Sequence, residues 1–283
     1  MSLERANTLL KRAAEQGYGI PAINVFNYES IAWAIEAAEK EDMPIIIQFW
    51  PGFSTFIPMA QIVSITRELA EKVKVPVALH MDHSNSYEMA VSGIMSGFPS
   101  VMIDGSSRPF EENVKVSADV VRCAHAVGVD VEGELGHVGD GMKEDDLCTD
   151  HFTDPDQAEE FVQRTGVDFL AIAVGNGHGD YVRMPQLDFD RIKELRGRLS
   201  VPLVMHGGSD IPADQMQHAV RCGMSKFNIA TEYERTFHNS MKSYLDHAEP
   251  HRYYYDGLQE IKEPCVQFVR SKIRMLNPDN KSK

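Results

Sequence analysis

Three histidines of this chain each follow a short apolar run that is typical of a buried strand. His83 ends one run, His178 follows a second across a glycine-rich turn, and His206 ends a third. A single histidine at a strand end is usually structural, but three converging imidazoles with an open fourth position form the ligand set of a catalytic zinc ion. We therefore predict one zinc ion per subunit, held by these three side chains, although such a set also accepts other divalent metals.

Short apolar strands alternate with amphipathic helical patterns along the whole chain, which predicts βα units and a parallel sheet. The predicted strands are Ile20–Val25, Pro44–Phe49, Pro76–Asp82, Ser100–Asp104, Asp130–Leu135, Phe169–Val174, Pro202–His206 and Lys226–Ala230. Eight units favour an α/β fold of the (β/α)8 TIM-barrel type, in which all strand ends that carry the histidines share one face. An open doubly wound sheet is the alternative, but no G-x-G-x-x-G turn follows the first strand.

The length and composition fit one such barrel. We expect residues 1–283 to form a single domain, with an extra C-terminal helix over Tyr253–Leu276. The 28 basic and 42 acidic residues give a net charge of −14, which disfavours nucleic acid and anionic membranes as partners. Four scattered cysteines, no membrane-length apolar run and no signal-peptide pattern at the N-terminus predict a cytoplasmic protein.

Asp82 directly precedes His83 and shares a strand face with His80 if the run is extended. A carboxylate beside a bound metal is placed to move a proton to or from a substrate. The alternative is that Asp82 only caps the following helix, a role that Ser84 or Asn85 could also fill.

Acids end two further predicted strands, at Asp104 and Glu134. We predict that they serve either as alternate metal ligands or as groups that orient the ligands from behind. The alternative for both is a polar layer at the rim of the barrel.

Glycine-rich and polar turns end the last two predicted strands. In these barrels the loops after strands seven and eight are the usual phosphate site, because backbone N–H groups and helix N-termini bind the anion there. The alternative is tight turns with a helix cap at Thr231. The candidate substrate-binding residues are Asn24, Gly179, Gly207, Gly208, Ser209, Asn228, Ile229, Ala230 and Thr231.

Together these motifs resemble the class II, zinc-dependent ketose-bisphosphate aldolases, a family that includes fructose- and tagatose-bisphosphate aldolases. The matching segments occur in family order over roughly residues 1 to 275. They are Asp82-His83, Ser100–Ser106, Pro109–Asn113, Glu132–Gly136, Thr153–Pro155, Gly175–Gly179, His206–Ser209 and Asn228–Thr231. Ser209–Pro212 and Ala230 lean towards the tagatose branch.

The resemblance implies an aldolase that reversibly cleaves a ketose 1-phosphate or 1,6-bisphosphate to dihydroxyacetone phosphate and an aldehyde. The three histidines would bind zinc, which polarises the ketone. Asp82 would be the acid/base at the bond-forming oxygen, and the glycine turns would hold the phosphate. A lid acid, Glu144 rather than Asp145 or Asp146, would exchange a proton at the hydroxymethyl carbon.

The family also implies a homodimer or homotetramer and a monovalent cation, Na⁺ or K⁺, near the glycine turns. No lysine Schiff base is required. We expect Lys226 to open its strand and so to point away from the site.

Two positions depart from the family pattern and concern the far end of the substrate. Bisphosphate members carry an arginine shortly before the C-terminal helix that reaches across a subunit interface, whereas our register places Asp256 there, with Arg252 or Arg270 as substitutes. Trp50 stands where small residues are usual. Both differences predict a ketose without a phosphate at its far end, because a carboxylate repels that phosphate.

Two other functions fit parts of the pattern. A non-catalytic sugar-phosphate-binding accessory subunit of the same fold would be favoured if Asp82 or a histidine ligand were missing, and none is. A zinc hydrolase on this fold usually shows H-x-H on the first strand, whereas this chain has Ala22-Ile23-Asn24. The sequence therefore favours the aldolase.

Overall fold

A computed structural model describes residues 3–139, 141–142, 151–247 and 252–280. Its eight parallel strands close into a barrel in which each strand pairs with the next and the eighth pairs with the first. The predicted (β/α)8 TIM barrel is confirmed. The strands are β1 (Ile20–Asn24), β2 (Ile45–Phe49), β3 (Val77–Ser84), β4 (Ser100–Ile103), β5 (Asp130–Leu135), β6 (Phe169–Ile172), β7 (Leu203–Met205) and β8 (Met224–Ile229).

Two strand boundaries differ from the prediction in ways that affect the site. β3 continues through His83 to Ser84, where the backbone N–H of Asp104 donates to the Ser84 carbonyl oxygen at 2.8 Å. β8 begins at Met224, so Lys226 lies within the strand rather than opening it. The expectation that Lys226 points away from the barrel interior is wrong: its side chain is fully buried and meets Glu132 of β5, a strand that is not a neighbour of β8.

Helices connect the strands around the outside of the barrel, and the predicted C-terminal helix is present. Within the described residues no helix has both the length and the apolar character that crossing a membrane would require. The helices are α1 (Ala6–Gln16), α2 (Tyr28–Glu41), α3 (Met59–Ala70), α4 (Tyr87–Met95), α5 (Phe110–His125), α6 (Pro155–Thr165), α7 (Phe189–Arg198), α8 (Ala213–Arg221), α9 (Thr231–His247) and α10 (Tyr254–Met275).

The first helix covers the N-terminal end of the barrel. The backbone N–H of Asn7 donates to Asp130 at the start of β5 at 3.1 Å, and its side-chain amide donates to Asp168 at 2.9 Å. Leu9 and Leu10 on the apolar face of α1 are completely buried. Because this end is closed, the open end of the barrel is the one where the strands terminate and the histidines lie.

Candidate active site

The three predicted metal ligands meet at the C-terminal rim of the barrel. The ring centroid of His83 lies 5.0 Å from that of His178 and 4.6 Å from that of His206, while His178 and His206 are 5.5 Å apart. One ring nitrogen from each lies within 4.8 Å of the nitrogens of the other two. Burial lowers the pKa of His178 to about 4 and that of His206 well below its usual value, so both rings are neutral and can offer a lone pair.

An irregularity in β3 aims His83 at this cluster. The register between β3 and β4 shifts between Met81 and Ser84, and His83 has a φ of 26°, in the left-handed region. In a regular strand His83 would face away from Asp82. A bulge re-aims side chains in this way, and strained backbone of this kind is concentrated at functional sites.

Close backbone packing joins the two loops that carry the other histidines. Gly207 has a φ of 60°, and a Cβ atom there would lie 1.9 Å from the carbonyl oxygen of Gly177, so only glycine fits. The Tyr181 hydroxyl accepts from the Gly177 N–H at 2.9 Å and donates to the Gly207 carbonyl at 2.8 Å. Tyr181 therefore ties the loop of His178 to the loop of His206, a role that the sequence did not indicate.

The carboxylate of Asp82 is held by amide groups rather than by a helix terminus. Asn24 donates to Asp82 Oδ2 at 3.0 Å, and Asn228 donates to Oδ1 at 3.4 Å. The helix cap of α4 is Ser86, which accepts from the backbone N–H of Met89. The alternative in which Asp82, Ser84 or Asn85 caps that helix is therefore wrong, and Asp82 faces the histidine cluster.

The charges around Asp82 keep it ionised. Burial alone would raise the pKa of Asp82, but the positive charge on His83 and the hydrogen bond from Asn24 lower it below its usual value. Burial alone would lower the pKa of His83, but the charge of Asp82 and the hydrogen bond to Asp104 raise it to about 10. The nearby carboxylates therefore stabilise a positive charge at His83, and a bound metal cation would be stabilised in the same way.

Asp104 and Glu134 flank the cluster. Asp104 Oδ2 lies 3.1 Å from His83 Nδ1, the geometry of a carboxylate that orients a ligand from behind. Burial and the charge of Asp104 raise the pKa of Glu134 well above its usual value, and its buried Oε2 has no hydrogen-bond partner among the described residues. These two acids and His83 form a second group that could hold a metal ion, so the geometry is compatible with both predicted roles.

The donor set therefore fits a divalent metal. Two histidines are neutral and the third lies in a negative field. The Glu134 oxygen that no described residue hydrogen-bonds lies 3.5 Å from His206 Nδ1. Neutral imidazoles and carboxylates are the ligands that zinc accepts in catalytic sites.

The cluster opens into a cavity of about 580 Å³ at the strand ends. No lysine or arginine occurs among the described residues that line it. The lining residues are Asn24, Trp50, Phe53, Asp82, His83, Asp104, Val138, His178, Gly179, Gly207, Ser209, Asn228, Ala230, Thr231 and Glu234. An anion bound here would depend on neutral donors.

Most of the predicted phosphate-binding residues line this cavity, but two do not. Gly208 is absent from the lining, and its N–H donates to the Asn228 carbonyl oxygen at 2.9 Å, so it is not free for a phosphate. Ile229 is fully buried and pairs with Ile23 of β1. The remaining turn residues face the cavity from the ends of β6, β7 and β8.

Trp50 forms part of the cavity wall, as its prediction as a specificity residue requires. Its indole crosses Gly52, where a Cβ atom would lie 2.3 Å from the ring, and it packs edge-on against Phe53 at 5.2 Å between centroids. The side chain is 45% exposed. An aromatic surface with one open face is thus held at the mouth of the cavity.

Asp256 does not line the cavity of its own chain. It lies in the first turn of α10, where its carboxylate accepts from the Tyr253 N–H at 3.0 Å and pairs with Arg252 at 3.3 Å. Arg252 also pairs with Glu260, and Arg270 pairs with Glu41, both at 2.6 Å. Within one chain neither arginine substitutes for the expected phosphate ligand. The predicted lid acid Glu144, with Asp145 and Asp146, lies outside the described residues.

Sequence reasoning missed four polar residues beneath the cluster: His80, Ser100, Glu132 and Lys226, here called the buried polar layer. All four are fully buried. It also missed Gln48, whose amide donates to Asn24 Oδ1 at 2.9 Å and so supports the partner of Asp82. The available signal was strand alternation, because Glu132 shares a face with Glu134, and Lys226 shares one with Asn228.

Solved structures of aldolases have the same fold as this chain. The YdjI aldolase from Escherichia coli K12 is 34% identical with a TM-score of 0.88, and the match covers 99% of this chain and 100% of that one. Fructose-bisphosphate aldolase (Fba) from Campylobacter jejuni is 25% identical with a TM-score of 0.83, covering 99% of this chain and 97% of that one. The barrel fold is thus shared with proteins named aldolases.

The family model for class II fructose-bisphosphate aldolase matches residues 4–281. The chain belongs to the class II fructose-bisphosphate aldolase family, and the predicted resemblance is confirmed at that level. It is an enzyme of the aldolase class.

Proposed function

We propose that this aldolase depends on a zinc ion and reversibly cleaves a ketose phosphorylated at carbon 1 to dihydroxyacetone phosphate and an aldehyde. The observation that carries the proposal is that Asp82, held by two amides, lines one cavity with His83 and His178 beside glycine-rich turns, and that the buried His206 completes the histidine cluster. His83, His178 and His206 would hold the metal. When bound, the metal would supply Lewis-acid polarisation of the substrate carbonyl.

In the cleavage direction Asp82 takes the proton from the hydroxyl group on carbon 4. The bond between carbons 3 and 4 then breaks, carbon 4 leaves as an aldehyde, and the electron pair remains on the dihydroxyacetone phosphate half. Asp82 suits this step because its lowered pKa keeps it ionised and able to accept a proton. The amides of Asn24 and Asn228 fix its orientation. A proton must then reach carbon 3, for which Glu144 stays the predicted donor.

The phosphate on carbon 1 would bind at the ends of β6, β7 and β8. Gly179, Gly207, Ser209 and Thr231 line the cavity there, and α9 begins at Thr231. A helix N-terminus and free backbone N–H groups bind an anion without a lysine or arginine. A monovalent cation, Na⁺ or K⁺, near these turns stays a prediction from the family.

For the far end of the substrate we propose that the preferred ketose carries no second phosphate. The described lining of the cavity contains no cation, whereas Trp50 and the carboxylate of Glu234 contribute to its wall. Arg252 and Arg270 already pair with acids of the same chain. A bisphosphate would therefore leave one phosphate without a positive partner, at a cost of about 1–3 kcal/mol, or roughly 5- to 150-fold in kcat/KM.

A screen of phosphorylated ketoses for release of dihydroxyacetone phosphate, with metal content measured on the same sample, tests both parts of this proposal. We expect turnover that a chelator abolishes and zinc restores, and the highest kcat/KM on a ketose 1-phosphate. Full turnover by metal-free protein would contradict the metal assignment. Binding without cleavage of any ketose would favour the non-catalytic accessory function. A bisphosphate that equals or exceeds every 1-phosphate would contradict only the proposal for the far end.

The tagatose branch, a cytoplasmic location and a homodimer or homotetramer stay predictions, supported by the sequence pattern and by family membership. Small sugar phosphates are the proposed partners, rather than nucleic acid or membranes, in keeping with the net charge of −14. Light scattering of the purified chain would measure the assembly directly. A monomer with full turnover would show that no residue of a neighbouring subunit is needed.

A further inference from the structure

The buried polar layer touches the proposed metal site at one point, the ring of His206. Glu132 Oε1 lies 2.7 Å from His206 Nε2, whereas the other ring nitrogen, Nδ1, lies 3.0 Å from His83 Nε2. His206 thus turns one nitrogen towards the ligand cluster and the other towards a carboxylate. All of Glu132 and His206 is buried.

We propose that Glu132 is a positioning residue that fixes the tautomer and orientation of His206 for metal binding. The inference rests on the proposed metal site. A neutral imidazole has one N–H group, and a hydrogen bond from Nε2–H to the carboxylate leaves the lone pair on Nδ1, where it faces the cluster. His83 repeats the arrangement, because its Nδ1 faces Asp104 while its Nε2 faces His206.

Lys226 maintains Glu132 as a charged acceptor. Its ammonium group lies 2.7 Å from Glu132 Oε2, and both side chains are fully buried. A carboxylate in such a place needs a compensating charge, because burial of an isolated ion is very costly. His80 cannot supply that charge, since burial and the nearby Lys226 lower its pKa well below the usual value.

The location of the pair argues against a purely structural role. A buried ion pair often stabilises a fold no better than apolar residues of the same volume. Here the pair joins strands β5 and β8, which are not neighbours in the barrel. The Glu132 oxygen that does not bind Lys226, Oε1, contacts the candidate metal ligand His206. The presence of a carboxylate at position 132 is therefore explained by its hydrogen bond to the His206 ring.

The test replaces the charged pair in two ways and measures Zn²⁺ affinity by competition with a chromophoric chelator. Glu132→Gln is nearly isosteric, and the double variant Glu132→Leu with Lys226→Met keeps the core free of net charge. We expect both to bind Zn²⁺ about 10- to 100-fold more weakly, as is usual when a carboxylate behind a ligand is lost. Ser100→Ala is the control, because Ser100 bonds only to His80 in this layer, at 2.7 Å, and its affinity should stay within about twofold.

The tautomer of His206 gives a second readout that requires neither metal nor activity. In the unaltered, metal-free protein, ¹⁵N NMR of the histidine rings should show His206 protonated at Nε2, and the double variant should lose that preference. Unchanged Zn²⁺ affinity in a folded double variant, or an Nδ1-protonated His206 in the unaltered chain, would overturn the inference. If the unaltered chain bound no Zn²⁺, the proposed metal site would fail while the tautomer still tested the role of Glu132.

Discussion

The rim of the barrel and the buried polar layer beneath it use the same residue types in opposite ways. At the rim, His83 and Asp104 are partly exposed and line the cavity. In the layer, Glu132 and Lys226 are fully buried and already satisfy each other. Among the described residues, Glu134 Oε2 at the rim therefore has no hydrogen-bond partner, whereas the Glu132–Lys226 pair directly behind it is paired on both sides.

Glu132 and Glu134 show the contrast within one strand. They lie two residues apart on β5 and share the interior face. Glu132 is paired with Lys226 and contacts His206. Glu134 has an oxygen without a hydrogen-bond partner in the described part of the chain, and its pKa is raised because it is buried close to Asp104. Glu132 lies deeper in the barrel and supports a proposed ligand from behind, whereas Glu134 lies two residues nearer the rim and belongs to the candidate site.

The largest expected effect comes from removing a rim histidine. His178→Ala takes away one of three proposed ligands without touching the buried polar layer, so metal and turnover should be lost while the metal-free protein keeps its stability. His238→Ala is the control, because that histidine is exposed on α9. Metal analysis and a cleavage assay measure the first effect, and thermal unfolding measures the second. Retention of metal by folded His178→Ala would remove His178 from the ligand set.

Removing the charge of Lys226 should lower the stability of the metal-free protein, which His178→Ala leaves unchanged. Lys226→Met leaves Glu132 as an uncompensated buried acid, and breaking such a pair costs about 3–5 kcal/mol of unfolding free energy. Urea unfolding of metal-free protein measures this cost. The matched control is Lys242→Met, whose partner Asp246 lies 2.6 Å away on the exposed face of α9, and which should change little. Equal stability of the two variants would contradict the unfolding cost assigned to the buried Glu132–Lys226 pair.

The third prediction separates catalysis from capping at the end of β3. Asp82→Asn keeps the shape of the side chain but removes the proton acceptor, so kcat should fall at least about 10²-fold while metal and substrate still bind. Ser86→Ala is the comparison, because Ser86 caps α4 and its loss should cost about 1 kcal/mol of stability with kcat unchanged. A near-normal kcat for Asp82→Asn would exclude Asp82 as the acid/base.

The rim could be predicted from the sequence, whereas the buried polar layer could not. The rim residues lie where apolar runs stop, and glycines mark the turns after His178 and His206, so fold and ligands could be predicted together. Glu132 and Lys226 stand inside strands 94 residues apart in the chain, so their pairing cannot be seen until the barrel closes. The bulge that aims His83 also escaped prediction, because strand alternation gives no sign of where a register shifts.

The smallest expected effect concerns the hydroxyl group that joins the two histidine loops. Tyr181→Phe removes the hydroxyl bonds to Gly177 and Gly207, the two that the described residues make with it, which should cost about 1 kcal/mol of stability. For a protein near this size that corresponds to a fall of about 2–4 °C in Tm. Because both loops carry a proposed metal ligand and line the proposed phosphate site, kcat/KM should also fall by about fivefold. Tyr244→Phe removes a similar bond, to the Tyr253 carbonyl at 3.0 Å, between two residues that do not line the cavity, and should lower Tm alone. If the two variants lost Tm equally and neither lost kcat/KM, the Tyr181 bridge would belong to the structural support rather than to the rim.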